Sequence, residues 1–422
     1  MNALSHIRPD SVIPSAMESP GTVLAIGIDI AKQTHVACAL RGTGVRVRET
    51  FSCTSQPESL QALAAWIKAL RLRLRCSHVF IGMEPTNVFW RPVYAYLVEH
   101  LPDCGVYVVP AVNVHYARRM HGSNLSKTDP RDAFLIAEQI LQVHCSRPIQ
   151  HTPVTRQVRD TLHNYLRADH DATVWKHQLQ AMLGQVFPEA FVGAGPSAAE
   201  GRLAILRDTP APADVRAVPE AQWVKDRLKP GRSRAMLLAL YRAAMSSAAP
   251  PIESPLWRDS WDIALHAWDN ALRYRTALHI LLGRLLQEIP AVPLLQTVPG
   301  VDLLTAAAFF AGVGDLSQYS RAAQVEKVFG FDLHRWQSGA MDSTPHITKR
   351  GYAPARRAFF LAALSACTHE PFNRWYRRHV PNKEQKGKRK SIVALAAKLV
   401  RICFCIARSG SPFDAFLAVE HE

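Results

Sequence analysis

Val23-Leu-Ala-Ile-Gly-Ile-Asp-Ile30 is a short, apolar, β-branched run broken by a single charge, Asp29. Its length and composition read as a buried central strand. A carboxylate at the end of such a strand is costly unless it is paired or binds a metal, so the chain must build something around Asp29. Thr34 to Leu40 and Val45 to Phe51 read as two further strands joined by the turn Arg41-Gly-Thr-Gly44, an antiparallel meander. Pro57 to Leu74 then carries Leu60, Leu63, Ala64, Ile67 and Leu70 on one helical face. His78-Val-Phe-Ile-Gly-Met-Glu84 is another buried strand with an acid at its carboxyl end, so Glu84 repeats the placement of Asp29.

Asn87 to His100 reads as a helix, Val106 to Val109 as a fifth strand and Asp129 to Val143 as a helix. The order βββαβαβα is that of the ribonuclease-H-like fold, an antiparallel three-strand ribbon extended by parallel strands under covering helices. Sites in open α/β sheets gather at the carboxyl ends of strands. Residues 1–20, with Ser and Pro but little pattern, are expected to be a loose leader, and residues 21–150 one α/β domain.

Within Lys127-Thr-Asp-Pro-Arg-Asp-Ala-Phe-Leu-Ile-Ala-Glu-Gln-Ile-Leu141, Asp129 and Asp132 stand three residues apart, a spacing that points both at one spot. Thr128 or Asp129 can cap this helix, Pro130 suits its first turn, and Phe134, Ile136, Ile140 and Leu141 anchor it. Two readings of the pair stand. Either they are N-terminal acids favoured by the helix dipole, or they join Asp29 and Glu84 as metal ligands. Four carboxylates suit hard Mg²⁺, and two such ions about 4 Å apart activate an attacking oxygen and stabilise a leaving one in phosphodiester chemistry. An actin- or sugar-kinase-like ATPase would also place a phosphate loop at Gly27-Ile-Asp-Ile-Ala-Lys32. It needs a second Gly-rich, Asp-containing loop, and none follows Glu84. Composition does not choose between cutting, joining and mere binding of nucleic acid.

The 422 residues suffice for two or three domains. The formal charge of +15 calls for a polyanionic partner, nucleic acid first; a membrane surface stays open on charge alone. No apolar run reaches the roughly 18 residues that span a bilayer; Leu303 to Gly314 comes nearest. The N-terminus lacks the pattern of a secretion signal. Eight scattered cysteines without CxxC pairs read as reduced thiols of a cytoplasmic protein rather than a zinc site.

From Arg156 to Phe187 the pattern is helix alone. Val158, Leu162, Tyr165, Ala172, Leu179, Leu183 and Val186 keep one heptad register, as in a coiled-coil arm. Pro188 to Pro219 reads as loop or irregular insertion, and the helical pattern returns from Leu256 to Ile289, to pair with the first arm, with a second subunit or with a core. These arms, residues 151–290, form the middle region, and residues 291–422 a mostly helical C-terminal domain. There Val298-Pro-Gly300 turns between two apolar helices as in helix-hairpin-helix units, although Asp302 stands where a second glycine is usual, so a packing turn is an equal reading. Ser338 lies in the polar loop Trp336-Gln-Ser-Gly-Ala340. A basic stretch then supplies Lys349, Arg350, Arg356, Arg357, Arg377, Arg378, Lys386, Lys388, Arg389 and Lys390, interleaved with Phe359, Trp375 and Tyr376. It reads as a nucleic-acid surface or a solvated basic tail.

Gly27-Ile-Asp-Ile-Ala-Lys32, Gly82-Met-Glu-Pro-Thr86, Lys127-Thr-Asp-Pro-Arg-Asp-Ala133, Val298-Pro-Gly300, Gln337-Ser-Gly339, Thr348-Lys-Arg-Gly351 and Ser409-Gly-Ser-Pro-Phe-Asp414 occur in this order. The set, over roughly residues 24–150 and 291–415, resembles the DEDD insertion-sequence transposases. These are recombinases with a RuvC-like N-terminal domain, related to Piv-type invertases and guided by a noncoding bridge RNA. The resemblance implies that Asp29, Glu84, Asp129 and Asp132 bind Mg²⁺, two ions per site, and that Ser338 is the nucleophile of a covalent phosphoserine link to DNA. It implies donor and target DNA and a bridge RNA as partners, dimers or tetramers with composite sites, and a bacterial, cytoplasmic, nucleoid-associated location without membrane contact. Met-Glu-Pro-Thr-Asn departs from the Thr-Gly common after the family's glutamate, and the middle region is longer than in compact members. A RuvC-like junction nuclease without a covalent step, and a non-catalytic nucleic-acid-binding protein, are the alternatives.

Overall fold

The computed structural model describes residues 12–85, 88–121, 128–192, 196–230, 232–249, 254–334, 337–338, 341–342, 346–379 and 385–414. The chain divides into two compact units, Met1–Arg159 with Gln287–Glu422, and Asp160–Leu286. The first unit starts with α1 (Val12–Ala16), β1 (Val23–Asp29), β2 (His35–Arg41), β3 (Arg46–Cys53), α2 (Pro57–Arg73), β4 (His78–Met83), α3 (Trp90–His100), β5 (Gly105–Val108), α4 (Ala111–Met120) and α5 (Asp129–Leu141). The strands form one sheet in the order β3-β2-β1-β4-β5. β1 pairs antiparallel with β2 and parallel with β4, and β4 is parallel to β5.

Because side chains alternate across a strand, each face of β1 has its own cover. Leu24, Ile26 and Ile28 pack with Leu63, Ile67, Val93 and Leu97 of α2 and α3. Val23 and Ala25 pack with Val114, Ala133, Ile136 and Ile140 of α4 and α5. Two short helices depart from the expected order. Helix α1 falls within the stretch expected to be a loose leader, yet Ile13 and Ala16 are buried in the second core. Helix α4 escaped the hydrophobic pattern because it buries only Val114 and Ala117 while exposing Val112, Tyr116 and Met120.

The second unit is a helical core rather than a pair of arms around a loop. It comprises most of α6 (Pro153–Val186), α7 (Pro196–Ile205), α8 (Pro212–Arg216), α9 (Glu220–Arg227), α10 (Arg234–Ser246) and most of α11 (Pro255–Gln287). Helices α6 and α11 run antiparallel, tied by Asp169–Arg275 at 3.0 Å and by the Tyr165 and His279 rings 6.0 Å apart. The heptad residues Ala172, Leu179, Leu183 and Val186 pack within the unit, around a fully buried Trp223 and with Leu237, Trp261 and Leu265. The expectation of loop over 188–219 fails for a definable reason. Pro188, Pro196 and Pro212 each open a helical turn, where a missing N–H and a fixed φ cost nothing, instead of breaking one.

The chain returns to the first unit with α12 (Val292–Leu295), α13 (Leu303–Val313), α14 (Ala322–Phe329), β6 (Leu333–His334), β7 (Gln337–Ser338), β8 (Met341–Asp342), β9 (His346–Ile347), α15 (Ala353–Ala366), α16 (Phe372–His379) and α17 (Gln385–Ser409). Phe309, Phe329 and Phe359 form an aromatic centre for α13–α15, with centroids 5.8–6.2 Å apart. The Pro299–Gly300 turn is a packing device. Gly300 has φ +87, and a Cβ there would lie 2.3 Å from the Ala362 carbonyl. Asp302 caps α13, accepting from the Thr305 N–H at 2.8 Å and its hydroxyl at 2.6 Å, so a carboxylate sits where a phosphate would have to bind.

Candidate active site

In the parallel pairing of β1 and β4, Gly27 stands opposite Gly82 and Ile28 opposite Met83. Continued by one residue, that register sets Asp29, the last residue of β1, against Glu84, the residue just past the end of β4. Both are partly buried and both lie on the face covered by α5, since Gly27 and Gly82, two residues earlier, face that helix. Each of the two residues has an interaction within the fold.

Gly27 explains how α5 reaches this edge. A Cβ there would fall 2.0 Å from the Ala133 carbonyl and 2.4 Å from the Ala137 nitrogen, so only glycine lets the helix backbone lie on the strand. The glycine that resembled a phosphate loop serves helix packing. Asp132 directly precedes that contact. It is buried, and Arg118 of α4 binds it, Nη2 at 2.7 Å and Nε at 3.2 Å, both on Oδ1. His121 and Glu138, 2.8 Å apart, tie the same two helices again. Asp129 is exposed in the first turn, after Thr128, which takes the capping position without a side-chain capping bond.

The structure thus brings Asp29 and Glu84 together and gives Asp132 an arginine. Among the described residues no group of three or more His, Cys, Asp or Glu is gathered closely enough to hold a metal ion. The donor chemistry nevertheless fits a hard divalent cation: carboxylate oxygens only, two of them from register neighbours on one face. Arg118 is the participant that sequence reasoning missed. Its signal was the buried acid itself, which demands a cation, but with α4 unrecognised the arginine had no position.

Ser338 pairs with Met341 in the β7–β8 hairpin, inside the excursion that leaves β6 and returns at β9. Its side chain and that of Lys386 lie outside the described residues, as do Lys127 and the Thr86-Asn87 that follow the strand-end motif. Lys349, Arg350, Arg357, Arg377, Arg378, Lys388, Arg389 and Lys390 are exposed. Arg356, expected among the nucleic-acid contacts, is instead turned inward. It is half-buried, donates to the Phe329 carbonyl at 2.9 Å, and burial lowers its pKa. No helix among the described residues is long and apolar enough to cross a membrane.

Residues 26–188 match a transposase family of DEDD, IS110 type, and residues 292–378 match the family described as Transposase IS116/IS110/IS902. The chain is 23% identical over 403 residues to the insertion element IS110 43.6 kDa protein of Streptomyces coelicolor, covering 92% of this chain and 95% of that one. It is 22% identical over 398 residues to the pilin gene-inverting protein of Moraxella bovis, covering 92% and 97%. A transposase for insertion sequence element IS1111A of Coxiella burnetii is 28% identical over 116 residues, covering 26% of this chain and 31% of that one. With the acids inside the first match and the two matches in chain order, the chain belongs to the DEDD-type insertion-sequence transposases of the IS110 family, enzymes that cleave and rejoin DNA.

Proposed function

We propose that this transposase is an RNA-guided recombinase with a ribonuclease-H-like, RuvC-type N-terminal domain, moving its own insertion sequence by serine-mediated strand exchange. Asp29, Glu84, Asp129 and Asp132 would hold two Mg²⁺ ions, and Ser338 is the nucleophile. The observation that supports this reading is the β1–β4 register, whose continuation by one residue sets Asp29 against Glu84. Bound there, Mg²⁺ would supply charge stabilisation of the attacked phosphate and of the leaving oxygen.

The chain's own residues do the rest. Ser338 gives up its hydroxyl proton and forms an Oγ–P bond as one P–O bond of the DNA backbone breaks, and the leaving sugar oxygen takes up a proton to become a free hydroxyl. A second sugar hydroxyl then loses its proton as it attacks the phosphoserine phosphorus, the Oγ–P bond breaks and the serine oxygen is reprotonated, which rejoins the DNA and returns the serine, so the bond energy is kept and no ATP is required. Arg118 holds Asp132 until the site assembles. Assembly is expected in dimers or tetramers, with the acids of residues 21–150 of one subunit meeting Ser338, in residues 291–422, of another. The exposed cations of 349–390 bind donor DNA, target DNA and a noncoding guide RNA through their phosphates.

The deciding experiment is a denaturing gel of protein, Mg²⁺, the flanking noncoding RNA of the element and labelled donor-end DNA. A protease-sensitive protein–DNA adduct is expected for wild type and for neither Ser338→Ala nor Asp129→Asn. Free cleaved ends that persist in Ser338→Ala would replace this reading with a hydrolytic junction nuclease. No cleavage by folded, RNA-bound wild type would leave a binding protein.

A further inference from the structure

A groove of ≈ 1310 Å³ lies along α17. Its floor is apolar, built from Val393, Ala397, Ile402 and Cys405 of that helix. One wall is Leu333 of β6 and Ile347 of β9, the paired stem from which the excursion carrying Ser338 rises. The rim carries Lys349, Arg389 and Lys390, none of which pairs with a carboxylate among the described residues. Of the three acids in the lining, Glu326 is held by Arg401, Asp332 accepts from the Thr348 hydroxyl at 2.6 Å, and Asp414 also has an interaction within the fold.

Lys349 is held in place by its backbone. It has φ +55, a left-handed conformation uncommon for a side-chain-bearing residue, of the kind that collects at functional sites. Its N–H donates to the Gly330 carbonyl at 3.2 Å, and the Thr348 N–H to the Asp332 carbonyl at 2.8 Å. Gly330 and Gly351 interlock the two loops, because a Cβ at either would sit 2.3 Å from the opposing Arg350 or Val328 carbonyl.

This combination selects its occupant. The volume exceeds the roughly 300–1,000 Å³ of small-molecule sites, so the groove suits a length of chain. An apolar helix would leave the three rim cations unmatched, and a duplex would turn its phosphates onto the dry floor. A single strand satisfies both, with bases on the floor and phosphates along the cations. Leu333, 70% exposed at the lip, is an apolar wedge of the kind that unstacks base steps. Resting on the assignment of Ser338 as nucleophile, we infer that the groove holds the unpaired DNA nucleotides flanking the bond that Ser338 attacks.

The test uses the full chain and fluorescence anisotropy with a labelled DNA single strand of the donor end, its duplex and an RNA strand of the same sequence. Ala397→Trp fills the floor without changing charge, and should weaken single-strand binding at least tenfold and duplex binding less than twofold. The exposed triple variant Lys349→Asn, Arg389→Gln, Lys390→Gln, with asparagine chosen because it tolerates positive φ, covers the case in which the tryptophan disturbs folding. It should reduce the salt slope of log Kd for the single strand by about 2, roughly 0.7 per phosphate contact. A 2-aminopurine beside the cleavage position should brighten on binding wild type and stay dim with Leu333→Ala. Equal losses for duplex and single strand, unchanged single-strand binding in both groove variants, or tighter groove-dependent binding of RNA than of DNA would overturn the inference. Cleavage that survives Ser338→Ala, alongside groove binding that behaves as described, would instead remove the serine assignment.

Discussion

Asp132 shows how one buried charge organises its surroundings. Its side chain is 5% exposed and its counter-ion is a guanidinium that is 27% exposed, so removing Arg118 leaves a carboxylate with neither water nor partner. Arg118→Met is therefore expected to destabilise the protein by about 3 kcal/mol, and Arg118→Met combined with Asp132→Asn to recover much of that loss, as measured by urea unfolding of both variants. His151 is a different case. Burial, then the charges of Arg159, Arg156 and Arg91, push its pKa down to about 3 from 6.5, and its Nδ1 has no hydrogen-bond partner among the described residues. The folded protein keeps this imidazole neutral while the unfolded chain binds the proton. Stability is thus intact above pH 6.5 and falls as pH drops from there toward 3. At pH 5 the loss is up to about 2 kcal/mol, and His151→Gln should flatten the curve in unfolding measurements between pH 7 and pH 5.

Helix α5 is seated by what β1 lacks at Gly27. Adding one methyl there pushes on the backbone of Ala133 and Ala137, with no flexible side chain to give way. Gly27→Ala should cost about 3 kcal/mol by overpacking and abolish DNA cleavage along with it. A variant that kept wild-type thermal stability would disprove the close approach. At the same scale, prolines marked helix starts rather than stops, and this is why 188–219 read as loop. Proline at the first helical position and proline in a loop look alike in sequence, and only the helix that follows separates them. The heptad stripe of α6 had the same ambiguity, since buried positions at this spacing serve an internal core as well as a coiled coil. Here Trp223, Leu237 and Leu240 fill the place of a partner helix.

Two units with separate cores imply two unfolding events. Five of the nine tryptophans belong to the core of residues 160–286, so calorimetry followed by tryptophan fluorescence should resolve two transitions. Trp223→Ala, which empties a fully buried site, should lower only the one that fluorescence reports, by about 3–5 kcal/mol. A single transition shifted as a whole would show that the units unfold together. What the amino-acid sequence determined by itself was the β-strand set and its acids. Apolar β-branched runs have one good solution, a buried strand, and a charge at the end of such a run is costly unless something answers it, so Asp29 and Glu84 were legible from the sequence. The ordered motifs at both ends made the family legible too. Tertiary structure alone decided the rest: which glycine admits a helix, which arginine answers Asp132, that Arg356 faces inward, and that α17 and the stem of the serine loop enclose a groove. Each is a relation between side chains or backbones far apart in the chain, and local periodicity carries no record of which distant surface a residue will meet.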